Sequence, residues 1–144
     1  MRNFGVVEKN ILRSGKYTLK DLKKTALEYN LSNIVYLNDR EPFLSLKTYQ
    51  KIGIDFFHFR VSDKEKISPV LFDNILKIIY ASPKTTLIHC WKGAHRTGAV
   101  IGKLRKLQHW YPRDIWDEML KYGFGKPREH IDLFRSVFDE GFSL

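Results

Sequence analysis

Apolar residues recur along the chain with two periods, and the switches between them mark the elements. In residues 19–29, Leu19, Leu22, Ala26 and Tyr29 stand at helical spacing behind Thr18, whose hydroxyl suits an N-cap. Residues 70–80 follow Ser68-Pro69 and carry apolar side chains at 71, 72, 75, 76, 78 and 79. That pattern predicts a helix with a wide buried face, ended by Ser82-Pro83. Helices are also predicted over 98–107, 112–121 and 128–140, the last two parted by Gly123-Phe124-Gly125-Lys126-Pro127. Short apolar runs occupy 4–7 and 11–12. Strands are predicted at 33–37 and 55–61, as neighbours in one sheet, and at 85–88, from their β-branched and aromatic content. Helix and strand alternate, so the class is α/β. No repeat, low-complexity stretch or linker divides the 144 residues, which predicts one domain over 1–144 with one site.

Composition narrows the partners more than the fold. Apolar residues make up 43% and charged residues 28%, which excludes a disordered tail. No apolar run approaches the roughly 20 residues needed to cross a bilayer. The start, Met1-Arg2-Asn3-Phe4-Gly5, is not followed by a signal-type stretch, so the expected address is the cytoplasm. With one cysteine, Cys90, no internal disulfide can form and the thiol is available for chemistry. Twenty-five Lys and Arg against sixteen Asp and Glu leave a charge of +9. Such a surface attracts phosphoesters, polyphosphates, nucleic acid or acidic peptides without choosing among them, and a plain solvated surface explains it as well.

The candidate chemistry follows the predicted strand 85–88, in His89-Cys90-Trp91-Lys92-Gly93-Ala94-His95-Arg96-Thr97-Gly98. Cys90 and Arg96 bracket a glycine-containing loop that ends where a helix opens. Successive backbone N–H groups and the helix N-terminus can then face one point, a site for a dianion. The same environment favours a thiolate, the nucleophilic form, so Cys90 would attack phosphorus. Arg96 can meet two phosphate oxygens with parallel charged hydrogen bonds, which a lysine cannot. The first product is a phosphocysteine that water must hydrolyse, so a carboxyl group is needed as acid and then as base. Thr97 is placed to donate to the Cys90 sulfur and ease its departure; His89 orients the loop by hydrogen bonding. A lone cysteine is ordinarily a small buried hydrophobe. Here the glycine, arginine, threonine and flanking elements all fit one geometry.

At these residues the chain resembles the Cys-x5-Arg protein phosphatase superfamily, and the form His-Cys-x-x-Gly-x-His-Arg-Thr-Gly resembles the plant and fungal atypical dual-specificity phosphatases. The likeness extends to Phe4-Gly5-Val6-Val7, Ile11-Leu12-Arg13-Ser14-Gly15, Ile101 to Trp110, and Asp117-Glu118. It implies a compact dual-specificity-phosphatase-like fold, with a central sheet of about four or five strands flanked by helices. It also implies a cysteine-dependent hydrolase of phosphate monoesters, of the dual-specificity or tyrosine type, with no metal and no cofactor. Some similar proteins act on inositol pyrophosphates, which leaves an inositol polyphosphate or pyrophosphate as the alternative to a phosphoprotein. Two departures bear on substrate: Ala94 stands where a basic residue is common, and Ser62-Asp63-Lys64-Glu65-Lys66 only partly matches Gly-Asn-Lys-Glu-Pro.

The resemblance places the general acid on a mobile loop that begins where the predicted strand 55–61 ends. Asp63 is the first choice and Glu65 the second, ahead of Asp73 and Asp39; a turn-capping role would also explain Asp63. The expected substrate contacts are Trp91, Lys92, Gly93, Ala94, His95 and Arg96, with Lys64 and Lys66 for further phosphates. Lys126 and Arg128 are weaker candidates. His58, His109 and His130 lack metal-ligand spacing and read as core or surface residues. Trp110, Trp116, Phe134 and Phe138 read as core. An RNA 5′-triphosphatase is a lesser alternative that no RNA-binding motif supports. A non-catalytic phosphate-binding module is argued against by the presence of Cys90, Arg96 and Thr97 together. Oligomeric state is left open.

Overall fold

The computed structural model describes residues 1–81 and 83–138. In chain order the elements are β1 (Gly5–Glu8), β2 (Ile11–Ser14), α1 (Leu19–Tyr29), β3 (Leu31–Leu37), α2 (Leu46–Lys51), β4 (Asp55–Phe59), α3 (Pro69–Ala81), β5 (Thr85–His89), α4 (Arg96–Leu107), α5 (Pro112–Lys121) and α6 (Ile131–Val137). The strands form one sheet in the order β1-β2-β5-β3-β4. β1 runs antiparallel to β2; every other pairing is parallel.

Alternation along the central strands sorts the core into two layers. Ile11, Val35 and Ile88 face a cluster with Ile75, Val100, Leu104, Trp116 and Phe134 from α3 to α6. Leu12, Ile34 and Leu87 point the opposite way, to Leu22 of α1 and Tyr49 of α2. Helices therefore cover both faces, as buried parallel strands require. β5 is buried at all five positions, so a one-residue slip would exchange its entire inner and outer sets.

Local signals explain the boundaries. Thr18 accepts from the Asp21 amide at 3.2 Å while Asp21 returns a bond to the Thr18 amide at 3.1 Å, a complete capping box. Asn30 ends α1 in the left-handed region with φ 53°. The hydroxyl of Ser68 accepts from the Leu71 amide at the start of α3. Helix α2 was not foreseen; it has six residues, with only Tyr49 buried, too few for a period to show. β4 ends at Phe59, two residues before the expected limit, and Val61 is buried beyond it. α6 begins at Ile131 rather than 128, and residues 139–140 of the expected helix lie outside the described residues. Trp110 is 37% exposed with the Arg105 guanidinium over its ring at 4.1 Å, so it is a surface stack and not core. Trp116, Phe134 and Phe138 are buried as expected.

Because β2, β5, β3 and β4 are parallel and in register, their C-terminal ends share one edge. Ser14 and Tyr36 both sit beside His89, and Leu37 beside Phe59. The chain leaving each strand enters the same region, which is where α/β sheets place their clefts.

Candidate active site

The loop from Cys90 to His95 joins β5 to α4. Its curvature depends on Gly93, with φ +73°, a conformation that favours glycine. A Cβ there would lie 2.5 Å from the Gly15 amide nitrogen, and a Cβ on Gly15 would lie 2.6 Å from the Lys92 carbonyl carbon. Two backbones thus cross in direct contact, tied by the Lys16 amide donating to the Trp91 carbonyl at 2.8 Å. Beneath the crossing, Arg13 is 1% exposed and donates from Nη2 to the Gly93 carbonyl at 3.0 Å. Its guanidinium lies 3.9 Å from the Tyr122 ring centroid. Burial pulls the Arg13 pKa down to about 10, with Glu118 opposing the shift, so it stays charged at neutral pH. A cradle for an anion needs its carbonyls engaged elsewhere, and Arg13 engages one.

Cys90 is buried beside the start of α4, and the Thr97 hydroxyl donates to its Sγ at 3.0 Å. Arg96, the first residue of α4, is steered by acceptors at two strand ends. Its Nη1 donates to Asn38 Oδ1 at 3.2 Å and the Val61 carbonyl at 3.3 Å, and stands 3.5 Å from Asp39 Oδ1. Cys90, Trp91, Lys92, His95 and Arg96 line one cleft of about 310 Å³ with Asn38, Asp39, Arg40, Asp63 and His130. Trp91 carries Lys16 Nζ 4.8 Å and the Arg40 guanidinium 5.7 Å from its ring centroid, so cations gather at the rim. Gly93 and Ala94 are buried in the body of the loop, outside the cleft lining.

His89 is fully buried, with Nε2 3.1 Å from the Tyr17 hydroxyl and its ring stacked 4.7 Å from Tyr36. Burial pushes its pKa down to about 3, so it is neutral at physiological pH and packs rather than titrates. The Tyr17 hydroxyl, also bonded to Tyr49 at 2.7 Å, has its pKa raised by burial.

The segment after β4 brings Asp63 to the cleft. Glu65 turns back to accept from the Ser62 amide at 2.9 Å, and Asp73 is exposed on α3. Lys64 and Lys66 do not line the cleft: Lys64 Nζ donates to the Glu129 carbonyl at 2.7 Å, and Lys66 is exposed. Neither of Lys126 and Arg128 reaches it.

Reading His130 as an ordinary core or surface residue is corrected here. Its ring stacks on His95, centroids 3.7 Å apart at 23°, and Nδ1 lies 4.0 Å from Asp63 Oδ2. The His95 pKa is lowered to about 4, by burial first and by His130 second. Sequence spacing held no signal for His130. Asn38 was equally hard to find, although a place just past a parallel strand is where such residues belong; Asp39, weighed in the sequence only as a lesser candidate for the acid, lines the cleft facing Arg96. Arg13 entered the sequence reading only within Ile11-Leu12-Arg13-Ser14-Gly15, a stretch that carries the resemblance, with no role attached.

A chemical capacity follows from this geometry. A buried sulfur at a helix N-terminus, a fixed guanidinium, a hydroxyl donor to the sulfur and a carboxylate across the cleft form a set suited to phosphoryl transfer. No helix among the described residues is long and apolar enough to cross a membrane.

The chain is similar to known phosphatases. The sequence model described as the tyrosine phosphatase family matches residues 1–143. Inositol diphosphatase DSP2 of Oryza sativa subsp. japonica is 35% identical, over 95% of this chain and 70% of its own length. The probable tyrosine-protein phosphatase DG1060 of Dictyostelium discoideum is 30% identical, over 95% of this chain and 86% of its own. Among solved structures, the core catalytic domain of the PP-IP phosphatase SIW14 from S. cerevisiae, in complex with citrate, superposes with a TM-score of 0.80. It is 30% identical, covering 97% of this chain and 88% of that one. The fold described above superposes on that phosphatase core over nearly its whole length, and the chain belongs to the tyrosine phosphatase family.

Proposed function

We propose that Cys90 attacks a phosphate ester held by Arg96 and the loop amides, that Asp63 protonates the leaving oxygen, and that water then hydrolyses the phosphocysteine with Asp63 as base. Thr97 eases the departure of sulfur in the second step through its hydroxyl. The observation that carries this reading is the joint placement of the Thr97–Cys90 contact, the oriented Arg96 and Asp63 around one cleft. A dual-specificity or tyrosine phosphatase needs no more than this.

A specific observation favours a second substrate class. Arg40 and Lys92 line the cleft with Arg96, so more than one phosphate can be met by a cation there. Relatives carrying the name inositol diphosphatase support the same reading. An inositol pyrophosphate would place its terminal phosphate at Cys90 and neighbouring phosphates against Arg40 and Lys92. Phosphate release from a phosphotyrosyl peptide, an inositol pyrophosphate and a triphosphate-ended RNA would be compared at equal concentration. Release should be greatest from the inositol pyrophosphate and should vanish with Cys90→Ser, whose hydroxyl is not ionised near neutral pH. Turnover by Cys90→Ser at the wild-type rate would overturn the mechanism; preference for the peptide would return the substrate to phosphoprotein.

A further inference from the structure

An acid on a loop must be aimed, and Asp63 is not aimed by its own segment. Its side chain is 45% exposed, and the turn that contains it is closed by its neighbours: Glu65 accepts from the Ser62 amide, and the Lys64 amide donates to the Ser62 hydroxyl. What fixes this turn relative to the cleft comes from the stretch around α6. Lys64 Nζ donates to the Glu129 carbonyl at 2.7 Å, and the Ile67 amide donates to the Ser136 hydroxyl at 2.9 Å with Ile67 buried. Between these two ties stands His130. Its side chain is 13% exposed, its ring lies against His95 of the catalytic loop, and Nδ1 faces Asp63 across 4.0 Å.

His130 Nδ1 is also a buried polar atom without a hydrogen-bond partner among the described residues. Such an atom costs about 1–3 kcal/mol unless it is satisfied. The carboxylate it faces sits on an exposed turn, and an approach of about 1 Å would bring the pair within hydrogen-bond distance.

Resting on the assignment of Asp63 as the acid, we propose that His130 is the positioning residue for it, holding one carboxylate oxygen while the ring is braced on His95. Nδ1–H donates to Oδ2, and the other oxygen stays directed at the leaving group. The brace links the acid turn to the same loop that holds the phosphate, so that acid and phosphorus keep a fixed separation. A positioning residue touches no reacting atom, and its loss is felt only through Asp63.

The test compares kcat/KM, which reports the first phosphoryl transfer, on an alkyl phosphate and on para-nitrophenyl phosphate. His130→Phe keeps the ring stack and removes Nδ1; His130→Asn restores a donor near the Nδ1 position. His130→Phe should lower kcat/KM on the alkyl phosphate roughly tenfold, a part of the full value of a general acid, and spare the activated ester to within about twofold. His130→Asn should recover most of the loss. In an Asp63→Asn background, His130→Phe should add nothing on either substrate. Equal losses on both esters, or losses that multiply with Asp63→Asn, would overturn the proposal and leave His130 a packing or substrate-binding residue. If Asp63→Asn alone leaves alkyl phosphate turnover unchanged, the acid assignment itself fails and His130 falls with it, a pattern distinct from the first.

Discussion

Replacing Gly93 with alanine tests the backbone crossing that shapes the loop from Cys90 to His95. The added Cβ would sit 2.5 Å from the Gly15 amide nitrogen and 2.6 Å from the Ser14 carbonyl carbon, both backbone atoms that no rotamer can move aside. Reaching ordinary contact requires the two segments to part by about 1 Å. Holding φ at +73° costs alanine on the order of 1 kcal/mol more than glycine, and overpacking adds about 1–3 kcal/mol. Separation also loosens the Arg13 bond to the Gly93 carbonyl, so a total of about 2–5 kcal/mol is expected. A 1 Å displacement of the loop should lower kcat/KM by on the order of 10² in the fraction that stays folded.

Urea denaturation reads the stability of Gly93→Ala, and turnover of para-nitrophenyl phosphate below the transition reads the loop. Gly15→Ala attacks the same crossing from the other side without positive φ, so it should cost about 1 kcal/mol less. The double variant should cost less than the sum, because one separation relieves both clashes. Gly93→Ala within about 0.5 kcal/mol and threefold of wild type would refute the crossing as the determinant of loop shape.

Arg96→Lys keeps a charge but cannot meet two oxygens while bonded to Asn38 and Val61; kcat should fall by about 10² or more in steady-state assays, and near-normal turnover would remove Arg96 as the clamp. His89 sets a pH dependence of stability. Its pKa is about 3 in the folded chain against the ordinary histidine value of 6.5, so the unfolded chain binds a proton that the folded one refuses between these limits. Stability should therefore fall as pH drops from about 6.5, by up to about 1.4 kcal/mol per unit. Urea denaturation at neutral and mildly acidic pH should show a shallower loss for His89→Phe than for wild type; equal slopes would sink the linkage.

Elements with several turns or a full β-branched run were legible in the sequence, because burial imposes a period on them. The bounds of α1 and α5 are those the pattern predicts, and Thr18 and Pro112 mark their starts. The six-residue α2 buries one side chain and leaves no pattern. Cys90, Arg96 and Thr97 were legible together because the loop geometry needs them within one turn of chain. Lys64 illustrates the opposite case: a cation near a proposed acid suggests a phosphate contact, yet its ammonium donates to a backbone carbonyl of the α5–α6 connection. Sequence records charge and spacing, whereas direction depends on which distant carbonyl lies within reach. His130 and Arg13 escaped for the same reason, since their partners lie on other elements.

The cleft is consequently a property of the sheet as much as of the motif. β5 delivers Cys90, but β2 delivers Arg13 and Gly15 under the loop, β3 the Asn38 and Asp39 that face Arg96, and the exit of β4 the Val61 carbonyl and Asp63. Arg96 shows why register matters. Its acceptors come from the ends of β3 and β4, held level by the pairing of Leu37 with Phe59. A slip of one residue would shift one acceptor by about 3.3 Å relative to the other, beyond what a rigid guanidinium can span while still facing phosphate. Val35 and Leu37 of β3, packed in one cluster with Phe59 of β4, therefore help to set the aim of the proposed phosphate clamp: a slip would carry Phe59 to the opposite face of the sheet.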